Sequence, residues 1–258
     1  MPIIMEGKNI SKIFKGVSAV TDYSLQLEKG SIHGLIGTNG AGKTTVFNML
    51  TGLFAPTTGQ ILFDGTDITG MRSDDIARLG ISRTFQNLRL FGKSNVLENT
   101  VVGGQLHKTY NMLDTLLMTP KFRNEEKEFR EEAVEILGVL GLGDFLDSQA
   151  GSLPYGSQRK LEIARALATH PKLLLLDEPA AGMNPKESYD LMKTIQQIRT
   201  QFELTILIIE HDMQVIMNLC DTIQVLCYGK IIAQGLPEEV SNNPDVIEAY
   251  LGRSAKHA

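Results

Sequence analysis

The chain has 258 residues, 42% apolar and 21% charged, which is the composition of a folded globular protein and excludes a disordered, collagenous or low-complexity chain. Thirty acidic against 25 basic side chains leave a formal charge of −5, which argues against non-specific nucleic-acid binding, and the two cysteines, Cys220 and Cys227, are too few for a disulfide framework or a four-thiolate zinc site. No apolar run approaches the roughly 18 residues of a spanning helix. Met1 to Glu6 also lacks the basic-then-apolar order of a signal peptide, so a membrane role is expected to run through a partner.

Residues 1–30 read as short strands and turns, with strands at Ile10–Phe14 and Tyr23–Glu28 closed by Lys29-Gly30. Ser31–Ile36 is an apolar strand running into a glycine-rich loop, and Lys43–Leu50 reads as a helix. Pro56, Gly59, Gly65 and Gly70 surround Gln60-Ile61-Leu62-Phe63, the pattern of a small antiparallel hairpin. Residues from about 88 to 165 read as mostly helical. Along Glu125–Leu140, the apolar Phe129, Ala133, Ile136, Leu137 and Leu140 stand at helical spacing. From Pro171, strands and helices alternate: strand Lys172–Leu176, helix Lys186–Thr200, strand Thr205–Ile209, helix Met213–Leu219, then strands Thr222–Cys227 and Lys230–Ala233. Such alternation builds a parallel sheet with helices packed on it. The expected fold class is α/β: a core with a parallel sheet, an antiparallel β subdomain and a helical insertion.

Gly37-Thr38-Asn39-Gly40-Ala41-Gly42-Lys43-Thr44-Thr45 fits the P-loop pattern, with Gly37, Gly42, Lys43 and Thr44 in register. Glycines let successive backbone N–H groups converge on phosphate oxygens, and the helix beginning at Lys43 turns its positive end toward them. Lys43 is placed to neutralise the β- and γ-phosphates, and the Thr44 hydroxyl to ligate Mg²⁺. A second motif strengthens the first. Leu173–Leu176 followed by Asp177-Glu178 is a buried strand ending in two carboxylates, and in an open parallel sheet ligands sit at the carboxyl ends of strands. Asp177 suits Mg²⁺ binding and Glu178 suits a general base for an attacking water. No Asn-Lys-x-Asp segment for guanine is present, while transfer to a small-molecule acceptor stays open on these motifs alone.

Over essentially its whole length the chain resembles the ATP-binding subunits of ABC transporters. Arg83-Thr84-Phe85-Gln86 is similar to that family's Q-loop; Leu153-Pro154-Tyr155-Gly156-Ser157-Gln158, continuing from Arg159 to Leu167, to its signature and the helix behind it; Ala181-Gly182-Met183-Asn184 to its D-loop; and Glu210-His211-Asp212 to its switch histidine. The resemblance implies a P-loop NTPase core in a single cassette over residues 1–258, with the helical subdomain at about 88–165. It implies that Gln86 contacts Mg²⁺ and the lytic water, that His211 contacts the γ-phosphate, and that Phe14 stacks on adenine. It further implies a head-to-tail pair of ATP-binding subunits, in which Gly156 and Ser157 of one cover the ATP of the other. The implied partners are that second subunit, integral membrane permease subunits and, indirectly, a substrate-binding protein, with no nucleic acid; the implied location is the cytoplasmic face of the inner membrane, held there by the permease.

The closer set Thr44 to Asn48, Arg83 to Gln86 with Arg89-Leu90-Phe91, Asp177 to Gly182 with Asn184 to Glu187, Ile209 to Met213, and Asn242 to Val246 with Ala249-Tyr250-Leu251-Gly252 resembles the LivG family of branched-chain amino-acid importer ATPases. Urea or amide import, lipopolysaccharide-type export, a non-transport ABC protein and an ATP-binding regulator remain alternatives. Three positions depart from the common pattern: Pro154 replaces a serine, Asn184 an aspartate and Thr38 a proline. Arg89, Leu90 and Phe91 are expected to be exposed for permease docking. His33, His107, His170 and His257 match no motif and are expected to be structural.

Overall fold

A computed structural model describes residues 2–211 and 213–251; Asp212, Gly252 and His257, singled out above, lie outside the described residues. In chain order, β1 (Ile3–Phe14) and β2 (Val17–Glu28) form a hairpin, and β3 (Ile32–Gly37) leads into α1 (Lys43–Leu50). Next come β4 (Thr58–Phe63), β5 (Thr66–Asp67), α2 (Ser73–Leu79) and β6 (Ile81–Arg83). The helical middle holds α3 (Val96–Gly104), α4 (Met112–Leu116), α5 (Pro120–Val139) and α6 (Tyr155–Leu167). The chain continues through β7 (Leu173–Asp177), α7 (Pro185–Gln201), β8 (Thr205–Ile209), α8 (Met213–Leu219), β9 (Thr222–Cys227), β10 (Lys230–Gly235), α9 (Pro237–Ser241) and α10 (Pro244–Leu251).

Two sheets carry the fold. The antiparallel one has the order β2-β1-β4-β5. Its β1–β2 hairpin turns at Lys15 and Gly16, whose φ of 47° and 87° supply the left-handed pair that a tight two-residue hairpin loop requires. Both strands are longer than the expected Ile10–Phe14 and Tyr23–Glu28. The polar run Glu6 to Asn9 breaks the apolar alternation, yet Glu6, Gly7 and Lys8 pair with β4 and Glu6 and Gly7 also with β2. Pairing partners, not periodicity, decide those residues.

The second sheet has the order β10-β9-β3-β8-β7-β6, parallel from β9 through β6, with β10 antiparallel at one edge. Every residue of β3, β7 and β8 is buried, which is why these strands read as continuous apolar runs. Alternate residues serve two cores. Leu174, Leu176, Ile206 and Ile208 face the cluster shared with α3, α5, α6 and α7; Leu173, Leu175, Leu207 and Ile209 face the one shared with α1 and the antiparallel sheet. The Tyr23 hydroxyl donates to Gln224 Oε1 at 2.7 Å, tying the two sheets through a buried hydrogen bond. Parallel pairing brings the carboxyl ends of β3, β7 and β8 to one rim, with Leu35 and Asp177 both opposite Ile209.

In the helical middle the first helix begins at Val96, and α5 begins at Pro120, capped by the Thr119 hydroxyl, five residues before the amphipathic run becomes visible. The sequence pattern did not reveal α2, β6, α9 or α10. β6 has three residues, too few to show a period. Among the described residues, no helix is long and apolar enough to cross a membrane.

Candidate functional site: a phosphate loop facing two carboxylates

The loop between β3 and α1 is shaped by close backbone approach. Gly37 has φ +154°, and a Cβ there would stand 2.1 Å from the Leu226 carbonyl oxygen; Gly42 has φ +108°, and its Cβ would stand 2.6 Å from the Ala19 carbonyl oxygen. Only glycine fits either position. Gly42 is also the N-cap of α1 and supplies no capping side chain, so the first N–H groups of the helix stay turned toward the loop. Lys43 is 7% exposed, and its ammonium donates to the carbonyls of Gly37 at 2.6 Å and Thr38 at 3.1 Å. Burial pushes its pKa down, and the nearby Glu178 and Asp177 oppose that shift. The loop walls an open cavity of about 380 Å³ lined by Asn39 to Thr45, Ala19, Gln86 and Glu178.

Asp177 ends β7 with its side chain 4% exposed. Its Oδ2 accepts from Arg83 Nη2 at 2.6 Å, and Arg83 Nη1 donates to Asn48 Oδ1 at 2.6 Å. The guanidinium carbon lies 5.4 and 5.3 Å from the ring centroids of Phe47 and Phe85. Arg83 is a partner of Asp177 that the sequence pattern did not single out. Its place just before Thr84-Phe85-Gln86 was visible, but its partner stands 94 residues away.

Glu178 holds a left-handed backbone at φ 48°, uncommon for a residue with a side chain, and its N–H donates to the Ile209 carbonyl at 2.9 Å. Gln86 Nε2 donates to Glu178 Oε2 at 3.0 Å, and His211 Nδ1 lies 4.0 Å from the same oxygen. Beneath them sits Glu210, 1% exposed, which accepts from the Ala180 N–H at 2.8 Å and the His211 N–H at 3.3 Å. Burial raises the Glu210 pKa. Gln86 and Glu178 line the loop cavity, and His211, which does not, stands beside them with Nδ1 3.8 Å from Glu210 Oε2.

Gly156 and Ser157 lie in the first turn of α6, whose N-cap is Pro154 at φ −54°. They line a separate cavity of about 160 Å³ with Lys160, Met183 and Glu187, and this cavity shares no lining residue with that of the phosphate loop. Asn184 caps α7. Its side chain accepts from the Glu187 N–H while the Glu187 carboxylate accepts from the Asn184 N–H, each at 3.0 Å. Phe14 is not among the residues lining the loop cavity; it packs edge-on against Phe54 at 5.2 Å. Of the stretch expected to be exposed, Arg89 and Phe91 are, but Leu90 is half-buried against the helical core.

His33 is buried in β3, with Nδ1 2.6 Å from the Thr222 hydroxyl, and burial pushes its pKa down to about 4. His107 Nε2 lies 2.9 Å from the Thr169 carbonyl, and His170 pairs with Glu132 at 2.7 Å. All three have structural partners away from the loop.

A glycine-shaped loop opening a helix, beside a buried strand that ends in two carboxylates at the rim of a parallel sheet, defines a P-loop nucleotide-binding protein. The family described as ABC transporter matches residues 20–181, and the one described as branched-chain amino acid ATP-binding cassette transporter matches residues 230–256. The chain is 46% identical over 251 residues to the high-affinity branched-chain amino acid transport ATP-binding protein BraF of Pseudomonas aeruginosa, covering 97% of this chain and 98% of that protein. It is 46% identical over 241 residues to the LivG protein of Escherichia coli, covering 93% and 94%. A solved ATP-binding cassette of an ABC transporter, in its ADP conformation, superposes with a TM-score of 0.85 at 33% identity, covering 98% of this chain and 100% of that one. The chain belongs to the ABC transporter family as one of its ATP-binding cassettes, and it binds and hydrolyses ATP.

Proposed function

We propose that this cassette powers the import of branched-chain amino acids, using one ATP site per subunit of a head-to-tail pair docked on membrane permease subunits. The chain forms one cassette with its helical subdomain at about 88–165, held at the cytoplasmic face of the inner membrane by the permease and served indirectly by a substrate-binding protein. Support for the cargo is the 46% identity to BraF and LivG, whose names state branched-chain amino-acid transport.

Backbone N–H groups from Thr38 to Thr45 and the Lys43 ammonium cradle the β- and γ-phosphates. Lys43, bonded to two carbonyls of its own loop, exchanges them for the more strongly charged phosphate oxygens. Phe14 offers its ring to adenine from the hairpin tip. Thr44 and Gln86 line the loop cavity and Asp177 lies behind it with one oxygen bonded to Arg83; their hydroxyl, amide and carboxylate oxygens are a hard-oxygen set that would hold Mg²⁺, which would neutralise charge on the phosphate oxygens. Glu178 is the general base: it takes a proton from water as the water oxygen bonds to the γ-phosphorus and the bond to the β–γ bridging oxygen breaks, leaving ADP and phosphate. Gln86 orients Glu178 and the water, and His211 holds the γ-phosphate. Gly156 and Ser157 cap the partner subunit's γ-phosphate with the N-terminal N–H groups of α6.

The observation that carries this reading is the Gln86 hydrogen bond to Glu178 Oε2 at the loop cavity, with His211 Nδ1 4.0 Å from the same oxygen. Glu178→Gln is expected to keep ATP binding, to lower turnover by roughly a hundredfold or more, and to trap an ATP-dependent dimer in size-exclusion runs. Wild-type turnover in that variant would remove the base assignment. The permease is assigned to the groove beside Gln86 where Phe85, Val102, Leu106 and Arg165 meet, near the exposed Phe91. An engineered cysteine near residue 90 should crosslink to the permease; crosslinks only from the antiparallel sheet near Phe63 would move the contact. Leucine uptake by the reconstituted complex tests the cargo, and uptake of urea instead would reassign it.

A further inference from the structure

Arg159 is 4% exposed, an unusual place for a guanidinium on the helix that follows the signature turn. Its spacing from Tyr155 and Glu162 puts all three on one face of α6. Nη1 donates to the Phe85 carbonyl at 3.1 Å and Nη2 to the Gln86 carbonyl at 2.6 Å. Nε and Nη2 also donate to the Tyr155 hydroxyl at 3.1 and 2.8 Å, and Nη1 lies 3.4 Å from Glu162 Oε2. The other Glu162 oxygen accepts from the Arg89 N–H at 3.3 Å. All three guanidinium nitrogens are therefore engaged, and besides two side chains of their own helix they grip two consecutive main-chain carbonyls of the segment that carries Gln86.

That grip has a directional consequence. Holding the Gln86 carbonyl fixes the point from which the exposed Gln86 side chain reaches Glu178 Oε2. An apolar side chain fills buried space with less loss of hydration than a guanidinium, so filling space does not account for an arginine here. On its far side the fork holds Tyr155, the residue directly before Gly156. One side chain thus bridges the turn assigned to the partner's nucleotide and the loop assigned to the subunit's own catalytic carboxylate.

We propose that Arg159 is a positioning residue that couples the two ATP sites of the pair: when a partner's nucleotide settles on Gly156 and Ser157, the Tyr155–Arg159 link carries that displacement to Gln86 and sets its contact with Glu178. The proposal rests on the head-to-tail reading above. Two variants test it in the assembled transporter. Arg159→Lys keeps a charge opposite Glu162 but cannot fork onto two carbonyls and a hydroxyl. Tyr155→Phe removes only the hydroxyl that joins the fork to the signature turn.

Steady-state ATPase is measured against ATP concentration, with nucleotide affinity measured separately by a fluorescent ATP analogue. The wild type should show positive cooperativity in ATP. Both variants should lose it, with kcat down about tenfold in Arg159→Lys while KM and analogue affinity stay within about twofold. A KM rising in step with the fall in kcat would place the damage in the ATP cavity and overturn the positioning role. Wild-type kcat and cooperativity in folded variants would overturn it too, as would a non-cooperative wild type. If Arg159→Lys does not fold, Tyr155→Phe decides alone. Glu178→Gln separates the two levels: if it traps no ATP-dependent dimer, the head-to-tail reading and the link fall together, whereas a trapped dimer with unaltered Arg159 and Tyr155 variants sinks only the link.

Discussion

The phosphate loop and the signature turn are both glycine-bearing segments that open a helix, yet they are built differently. The loop is held by backbone crowding: Gly37 and Gly42 stand where a Cβ would overlap carbonyl oxygens, and Lys43 bonds to the loop's own main chain. The signature turn has no such crowding. A Cβ on Gly156 would come no closer than 4.0 Å to the Glu187 carboxylate, and the turn is tied to the rest of the subunit through Tyr155 and Arg159. A self-contained site tolerates little change in its own residues, whereas the turn should tolerate an uncharged change such as Pro154→Ser and fail when those links are cut or a charge is set against the partner.

The largest expected effect is on the self-contained side. Lys43→Ala should weaken ATP binding by about a hundredfold or more, because it removes charge-assisted hydrogen bonds to two phosphates while leaving the loop backbone intact. A titration showing unchanged affinity would break the comparison. Gly156→Asp should also stop turnover in the assembled transporter. It sets a carboxylate, already beside that of Glu187, against the partner's γ-phosphate, so retained ATPase would show that the turn does not face a nucleotide.

Arg83→Met separates architecture from chemistry. It leaves Asp177 buried beside Thr84 with its guanidinium partner gone, and should destabilise the protein by about 3–5 kcal/mol in urea unfolding at neutral pH. A loss below about 1 kcal/mol would mean that solvent screens the pair.

A pH-dependent effect should follow from His33, which lies away from both regions. Its folded pKa of about 4 is below the ordinary 6.5, so protonation favours the unfolded chain. The contribution is intact above the ordinary value and is lost as pH falls from there toward 4, amounting to about 2 kcal/mol at pH 5. Unfolding curves at pH 7.5 and 5 should show this slope, and His33→Gln should flatten it.

The smallest effect should come from Pro154. Its φ of −54° suits proline at this helix start, and its carbonyl accepts from the Gln158 N–H at 3.0 Å. Pro154→Ser should change the maximal ATPase rate by less than about tenfold. A hundredfold gain would show that the natural turn is crippled.

What could be read from the residues alone was local. Helix α1 and strands β8 and β9 fall where their periodicity puts them, and the P-loop and the Asp177-Glu178 strand end are contiguous patterns whose chemistry follows from residue type. The strand-end reading of Asp177 did not include Arg83, because a three-residue strand shows no period and its ion-pair partner lies 94 residues on. Leu90 looked exposed because no short pattern marks a residue packed beneath a helix from elsewhere in the chain. Arg159 read as one more charge in a helix; its burial and its grip on the Gln86 backbone 73 residues away exist only once α6 lies across that loop. Residue spacing encodes which face of an element is apolar, but which polar groups meet is decided by how the elements pack, and in this protein one such meeting, at Arg159, joins the signature turn to the segment that carries Gln86.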